Sequence, residues 1–351
     1  MPEISDAGLA ALIGLATGMI LGLASRIGRF CSLAAIEDAT YGGNDNRLRM
    51  WGIALGVAIL GTHLLMAAGL LDPADVYYLS TWSITGAVAG GLLFGVGMAL
   101  AGNCGFGALA RIGGGDFRSG VVVVTMGIMA YATISGPLAG LRLTLFPNQS
   151  PSELPSGIAQ IIERSTGLPP LATAAILGAI LTVLAIRGAD WTEFRRHAIW
   201  AAIVGLTIAG TWGLMQWLHF ESFEAIPVTD HSFAAPIGET ILYAMTASGS
   251  AVTFGIGSVL GVVAGAFLGN TRLGHFRWEA CDDARELGRQ LVGAGMMGVG
   301  AVLAGGCSIG QGLSAFSVLS VSAPITLISI YAGARIGLHF LIYGQGFRNA
   351  D

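Results

Sequence analysis

Gly95–Gly107 reads GVGMALAGNCGFG, and Gly298–Gly310 reads GVGAVLAGGCSIG. Aligned without a gap, the two share eight of thirteen positions: Gly95/Gly298, Val96/Val299, Gly97/Gly300, Leu100/Leu303, Ala101/Ala304, Gly102/Gly305, Cys104/Cys307 and Gly107/Gly310. Each copy closes an apolar run in a cluster of small residues with one cysteine at its centre. Glycines as dense as Gly102, Gly105 and Gly107, or Gly305, Gly306, Gly310 and Gly312, do not sustain a regular helix. In an apolar chain such a break predicts a re-entrant segment, tolerated at membrane depth only inside protein or lining a cavity.

The composition places the whole chain in a bilayer. Of 351 residues, 54% are hydrophobic and 11% charged, with a mean hydropathy of +0.71. A soluble domain carries about 25% charged residues. All 17 basic residues are arginines, and the net charge of −4 argues against a nucleic-acid partner. The N-terminus, MPEISDAG, lacks the positive region of a signal peptide, so the first apolar run is expected to be retained. Four cysteines at 31, 104, 281 and 307 show no paired spacing, so no metal site is expected. No cofactor is expected either.

A spanning helix needs about 20 mostly apolar residues. That ruler gives nine spans, near 8–25, 51–71, 83–101, 119–140, 170–186, 198–218, 240–268, 288–304 and 319–342. The fold class is therefore an all-α polytopic membrane protein with short re-entrant helices. The loops at 26–49 and 270–289 each carry four arginines and 187–197 carries three, whereas 72–82, 219–239 and 305–318 carry none. Those sets alternate as the positive-inside rule requires for an outside N-terminus. An anion-collecting role for the arginines is the competing reading. On this count the two cysteine motifs are approached from opposite faces, as in an inverted repeat whose site lies near the midplane. The expected organisation is an N-terminal half at 1–145, a connecting stretch at 146–239 and a C-terminal half at 240–351.

Glycines also recur every four residues, as Gly14, Gly18 and Gly22 and as Gly257, Gly261, Gly265 and Gly269. Such spacing reads as close helix packing in lipid. A fainter echo pairs Arg26–Cys31, RIGRFC, with Arg272–Arg277, RLGHFR. It sets Cys31 against Arg277, and the span count puts both loops on one side, so either one element is re-entrant or the echo is chance.

Buried thiols are mostly neutral at pH 7 and act as weak, soft donors. A series of them lets an anion enter and leave, where fixed arginines would hold it too tightly. Glycine-rich turns add backbone N–H groups and helix N-termini with partial positive charge. Cys104, Cys307 and Cys31 are the candidate contacts, with Gly102, Asn103, Gly105, Gly306 and Gln311 beside them and Arg29 and Arg277 attracting the anion. Cys281, in the polar stretch EACDDARELGR, has no counterpart and reads as a small hydrophobe. The rival reading is a membrane sulfurtransferase, in which a low-pKa thiolate with a nearby base carries a persulfide. None of the six histidines adjoins a cysteine motif in sequence.

GRFC at 28–31, GNCGFG at 102–107 and GGCSIGQG at 305–312 together resemble the three cysteine motifs of the YeeE/YedE family of sulfur-compound transporters. The resemblance covers nearly the whole chain. It implies an hourglass-shaped inverted repeat of helices in the bacterial inner membrane. It implies thiosulfate, or a related sulfur anion, handed along Cys31, Cys104 and Cys307 by S–H hydrogen bonds, with no catalytic residue. It also implies a small TusA-like cytoplasmic sulfur carrier as partner.

Overall fold

The computed structural model describes residues 5–149, 155–222, 224–280 and 283–344, so Cys281 lies outside the described residues. The chain is built from α-helices; among the described residues β-pairing is limited to isolated bridges such as Asp116–Glu279. In order, the helices are α1 (Asp6–Arg26), α2 (Ser32–Glu37), α3 (Asn46–Ala67), α4 (Tyr77–Ser80), α5 (Ile84–Ala101), α6 (Gly105–Ile112), α7 (Phe117–Ile134) and α8 (Ala139–Leu145). There follow α9 (Ile158–Thr166), α10 (Pro170–Ile186), α11 (Trp191–Glu221), α12 (Ala234–Thr246), α13 (Phe254–Leu273), α14 (Ala284–Leu303) and α15 (Ser322–Tyr343). A π-helical turn, Gly310–Ala315, lies between the last two.

Seven stretches among the described residues are long and apolar enough to cross a membrane: α1, α3, α5 with α6, α7, most of α11, α13 and α15. Of the nine expected spans, the fifth is α10, an apolar helix of 17 residues. The eighth is α14, whose first turns carry Arg285, Glu286 and Arg289. The expected span at 240–268 is not one helix. It breaks between α12 and α13, where Ser248, Gly249 and Ser250 interrupt the apolar run and Thr253 caps the new helix by accepting from the Ile256 amide at 3.4 Å. Leu184 on α10 and Ile328 on α15 are among the large apolar side chains left facing outward, where acyl chains would cover them.

Small residues set the packing. The glycines of α1 and α13 interlock along parallel helices, with Gly18 against Ser258 and Gly22 against Val262 and Ala266. α5 and α14 cross antiparallel and meet backbone to backbone. A Cβ at Gly90 would lie 2.5 Å from the Ala304 amide, one at Gly97 2.6 Å from the Gly293 carbonyl, and one at Gly293 2.6 Å from the Ala101 amide. Where lipid supplies no hydrophobic drive, such approach is what holds helices together. Because α5 and α14 run in opposite directions, the cysteine turns at their C-terminal ends are reached from opposite faces.

The pairing has an internal order. α1 packs on α13 as α11 packs on α3, and α5 packs on α15 as α14 packs on α7. α12 lies against α13 and α7 as α2 lies against α3 and α15. The positional partner of the Cys31 turn is thus the loop leading into α12, not the segment after α13 that the RLGHFR echo suggested. That segment lines a polar basin together with Arg26 itself, at the same end of the molecule.

Candidate functional site

α5 stops at Gly102, whose φ of 74° is easy for glycine and costly for other residues. The chain turns through Asn103, and Cys104 becomes the N-cap of α6 in extended geometry. Its sulfur accepts from the Gly107 amide at 3.3 Å. Cys104 is wholly buried.

The second copy repeats the construction. α14 ends, Gly305 takes φ 72°, and the Cys307 sulfur accepts from the Gly310 amide at 3.5 Å. This i to i+3 sulfur cap matches that of Cys104, and it explains why the identities include both the cysteine and the glycine three residues on. Cys307 accepts a second amide, that of Phe233, at 3.4 Å, with the Ser232 hydroxyl at 4.0 Å.

Cys31 is the N-cap of α2, makes no capping bond with its side chain and is half-buried. Its sulfur and that of Cys104 meet beside Gly107: a Cβ placed there would sit 3.6 Å from the Cys104 sulfur and 4.0 Å from that of Cys31. Cys104 lies near both Cys31 and Cys307. The residues that follow Cys31 and Cys307 are joined as well, Ser32 donating to the Ser308 hydroxyl at 3.2 Å. All three cysteines are free.

The remaining candidates divide into two groups. Asn103 is buried with its side-chain oxygen unpartnered. Gly105 packs on Met126, and Gly306 on the Gln311 side chain, whose oxygen accepts from Ser322 at 3.3 Å. These adjoin the thiols, whereas Gly102 sits at the exposed start of the turn. Arg29 is exposed, at a φ of 59° that strains a non-glycine residue, two residues before Cys31. Arg277 is exposed and stands with Arg26, Arg111 and Arg118 around a basin of about 190 Å³. Asp116 and Glu279 share that basin, and three of the guanidiniums are already engaged, Arg111 by donating to the Gly102 carbonyl at 3.3 Å. Arg118 pairs with Glu279 at 3.0 Å, and Arg26 donates to the Ala110 carbonyl at 2.6 Å.

A larger cavity of about 560 Å³ lies at the opposite end, among the first turn of α1, the start of α13 and the end of α14. Tyr78, Asp230, Ser232, Gly305 and Gly306 line its inner wall, so it reaches the Cys307 turn. The two cavities therefore lie at opposite ends of the molecule, with the larger one reaching the Cys307 turn.

A family model described as sulphur transport matches residues 27–336. The chain belongs to the sulphur-transport family. Two relatives share nearly its full length. The thiosulfate transporter TsuA of Escherichia coli K12 is 27% identical over 97% of this chain and 96% of its own. That of Spirochaeta thermophila is 24% identical over 91% and 96%.

Within this sulphur-transport protein, one part of the site was not legible beforehand. The loop before α12 brings the Phe233 amide and Ser232 hydroxyl onto Cys307 and places Asp230 in the cavity wall. The available signal was the polar run Thr229–Ser232, TDHS, between apolar stretches. The loop also brings a histidine close to a cysteine turn, contrary to the linear spacing. His231 is fully buried, but its ring faces Ser258 at 2.6 Å and Thr211 at 3.4 Å. Among the described residues no imidazole is hydrogen-bonded to a thiol.

Proposed function

We propose that this protein imports thiosulfate, or a closely related small sulfur anion. The path runs from the 560 Å³ cavity past Cys307, Cys104 and Cys31 to the arginine basin. The observation that supports this reading is the nearness of the three cysteine turns: Cys31 and Cys104 meet beside Gly107, and Ser32 and Ser308, next to Cys31 and Cys307, are hydrogen-bonded at 3.2 Å. The family match and the transporter names of both relatives support the substrate class.

The chemistry suits a relay. Taking a charged anion into hydrocarbon costs several kcal/mol unless donors replace its water. Neutral thiols and the amides that follow them supply weak donors that release as readily as they bind. The broken helices α6 and α12 aim their N-termini at the cysteine turns, adding partial positive charge where a carboxylate or guanidinium would repel or trap the ion. Gly107 keeps the passage open.

The arginine-rich end is taken as cytoplasmic by the positive-inside rule, in a bacterial inner membrane. There a small TusA-like sulfur carrier would receive the product. The helix pairing supports two halves of opposite orientation, with α11 and α12 assigned to the second half, next to the Cys307 turn they help build.

Uptake of radiolabelled thiosulfate into proteoliposomes containing the purified chain tests the reading. Saturable uptake with no sulfane sulfur on the protein by mass spectrometry is the expected result. A trapped cysteine persulfide would move the assignment to covalent sulfur transfer. A separate expected outcome concerns Gly107. Gly107→Ala meets only ordinary van der Waals distances, so folding should be retained. Its methyl group stands between two sulfurs, and uptake should fall by roughly tenfold, the equivalent of about 1.4 kcal/mol on the barrier. Thermal unfolding of the same preparation separates blockage from instability.

A further inference from the structure

Asp230 is 7% exposed, and neither of its carboxylate oxygens has a hydrogen-bond partner. The Ser314 hydroxyl beside it is committed elsewhere, donating to the His231 carbonyl at 2.9 Å. Asp230 lines the 560 Å³ cavity together with Ser232, which faces the Cys307 sulfur, and its two carboxylate oxygens are buried in the wall. A buried, unpaired carboxylate is among the costliest groups to keep ionised. Beside a passing anion the cost grows, because like charges at short range in a weakly screening interior repel strongly. Protonated, the same group is an O–H donor, stronger than a thiol, in the wall of the cavity that reaches the Cys307 turn.

The His231 amide and the Ser314 hydroxyl, close to the carboxylate, relieve the charge only in part. Tyr77 and Tyr78 of α4, Glu239 of α12 and Arg142 of α8 line the same cavity, and Cys307 and His231 adjoin it. His231 is held by Ser258 and Thr211. Among the described residues Arg142 is the one cation in the cavity wall, and Glu239 shares that wall.

We propose that Asp230 is a proton-binding substrate contact: its carboxylate takes a proton from the cavity water as the anion arrives, donates the new O–H to it, and couples capture to proton uptake. The inference rests on the reading of the protein as a sulfur-anion transporter. It adds a proton-binding site and a source of driving force. No bond other than O–H forms or breaks. Burial disfavours the ionised form, which keeps the group ready to accept a proton near neutral pH.

The test is calorimetric titration of the purified full chain with sodium thiosulfate in buffers of differing ionisation enthalpy. Proteoliposome uptake between about pH 6 and 8, where the group is expected to titrate, is measured in parallel. The wild-type protein should take up a proton on binding, and its uptake should fall as pH rises. Asp230→Asn keeps a donor but cannot titrate. It should bind about tenfold more weakly, take up no proton and lose the pH dependence. Wild-type binding without proton uptake would overturn the proposal, and so would an Asp230→Asn protein with the wild-type proton uptake and pH profile. Absence of thiosulfate binding to the wild type would instead remove the transport reading and this proposal with it. The wild-type buffer comparison stands even if the variant fails to fold.

Discussion

Cys104→Ala should cut thiosulfate uptake by about 10- to 100-fold, the range expected for losing a donor to a charged group. Cys104 lies near both other thiols, so on the proposed path its loss removes a contact that the ion makes between Cys307 and Cys31. The change removes one sulfur atom from a buried site, which costs about 1 kcal/mol of packing rather than the fold. α6 still begins after Gly102, whose backbone sets the turn. Cys104→Ser restores a donor of harder character and should recover part of the flux. Uptake rates normalised to folded protein decide the matter. Wild-type uptake by Cys104→Ala would remove the thiols from the path.

Gly300→Leu should have the largest effect on assembly. A Cβ at this position would stand 2.6 Å from the Phe94 amide and 2.7 Å from the Gly90 carbonyl, both backbone atoms that have no rotamer to move into. α5 and α14 would be pushed apart, and both cysteine turns hang from their ends. Overpacking of this kind costs about 1–3 kcal/mol from strain alone, and here it also removes the contact that pairs the helices. The folded fraction by size exclusion in mild detergent should collapse. Gly120→Ala on α7, where nothing lies within 4 Å, should leave it unchanged. Equal behaviour of the two variants would mean that the backbone approach of α5 to α14 does not hold the fold.

The repeated motif was legible because its chemistry is local. Gly102 and Gly305 must end helices, and each cysteine is capped by the amide three residues on, so sequence and geometry carry the same information. The four-residue glycine spacing marked α1 and α13 as closely packed helices, without saying that they pack on each other. The break between α12 and α13 was hidden, since hydropathy sums over Ser248–Ser250 without registering that the chain turns there. The partner of the Cys31 turn was hidden more deeply. RLGHFR resembles the Cys31 flank in letters, whereas the loop into α12 matches it only in packing, and its Ser232 and Asp230 share no motif with GRFC. Long-range pairing assigns that loop to Cys307, and no periodicity along the chain reports such a pairing.

The central claim is that the sulfurs themselves contact the ion. A structure of the purified protein with thiosulfate bound tests it most directly. Density for the anion within hydrogen-bonding distance of the Cys307 or Cys104 sulfur is the expected result. An ion found in the arginine basin or the outer cavity, with all three thiols untouched at saturating thiosulfate, would contradict it.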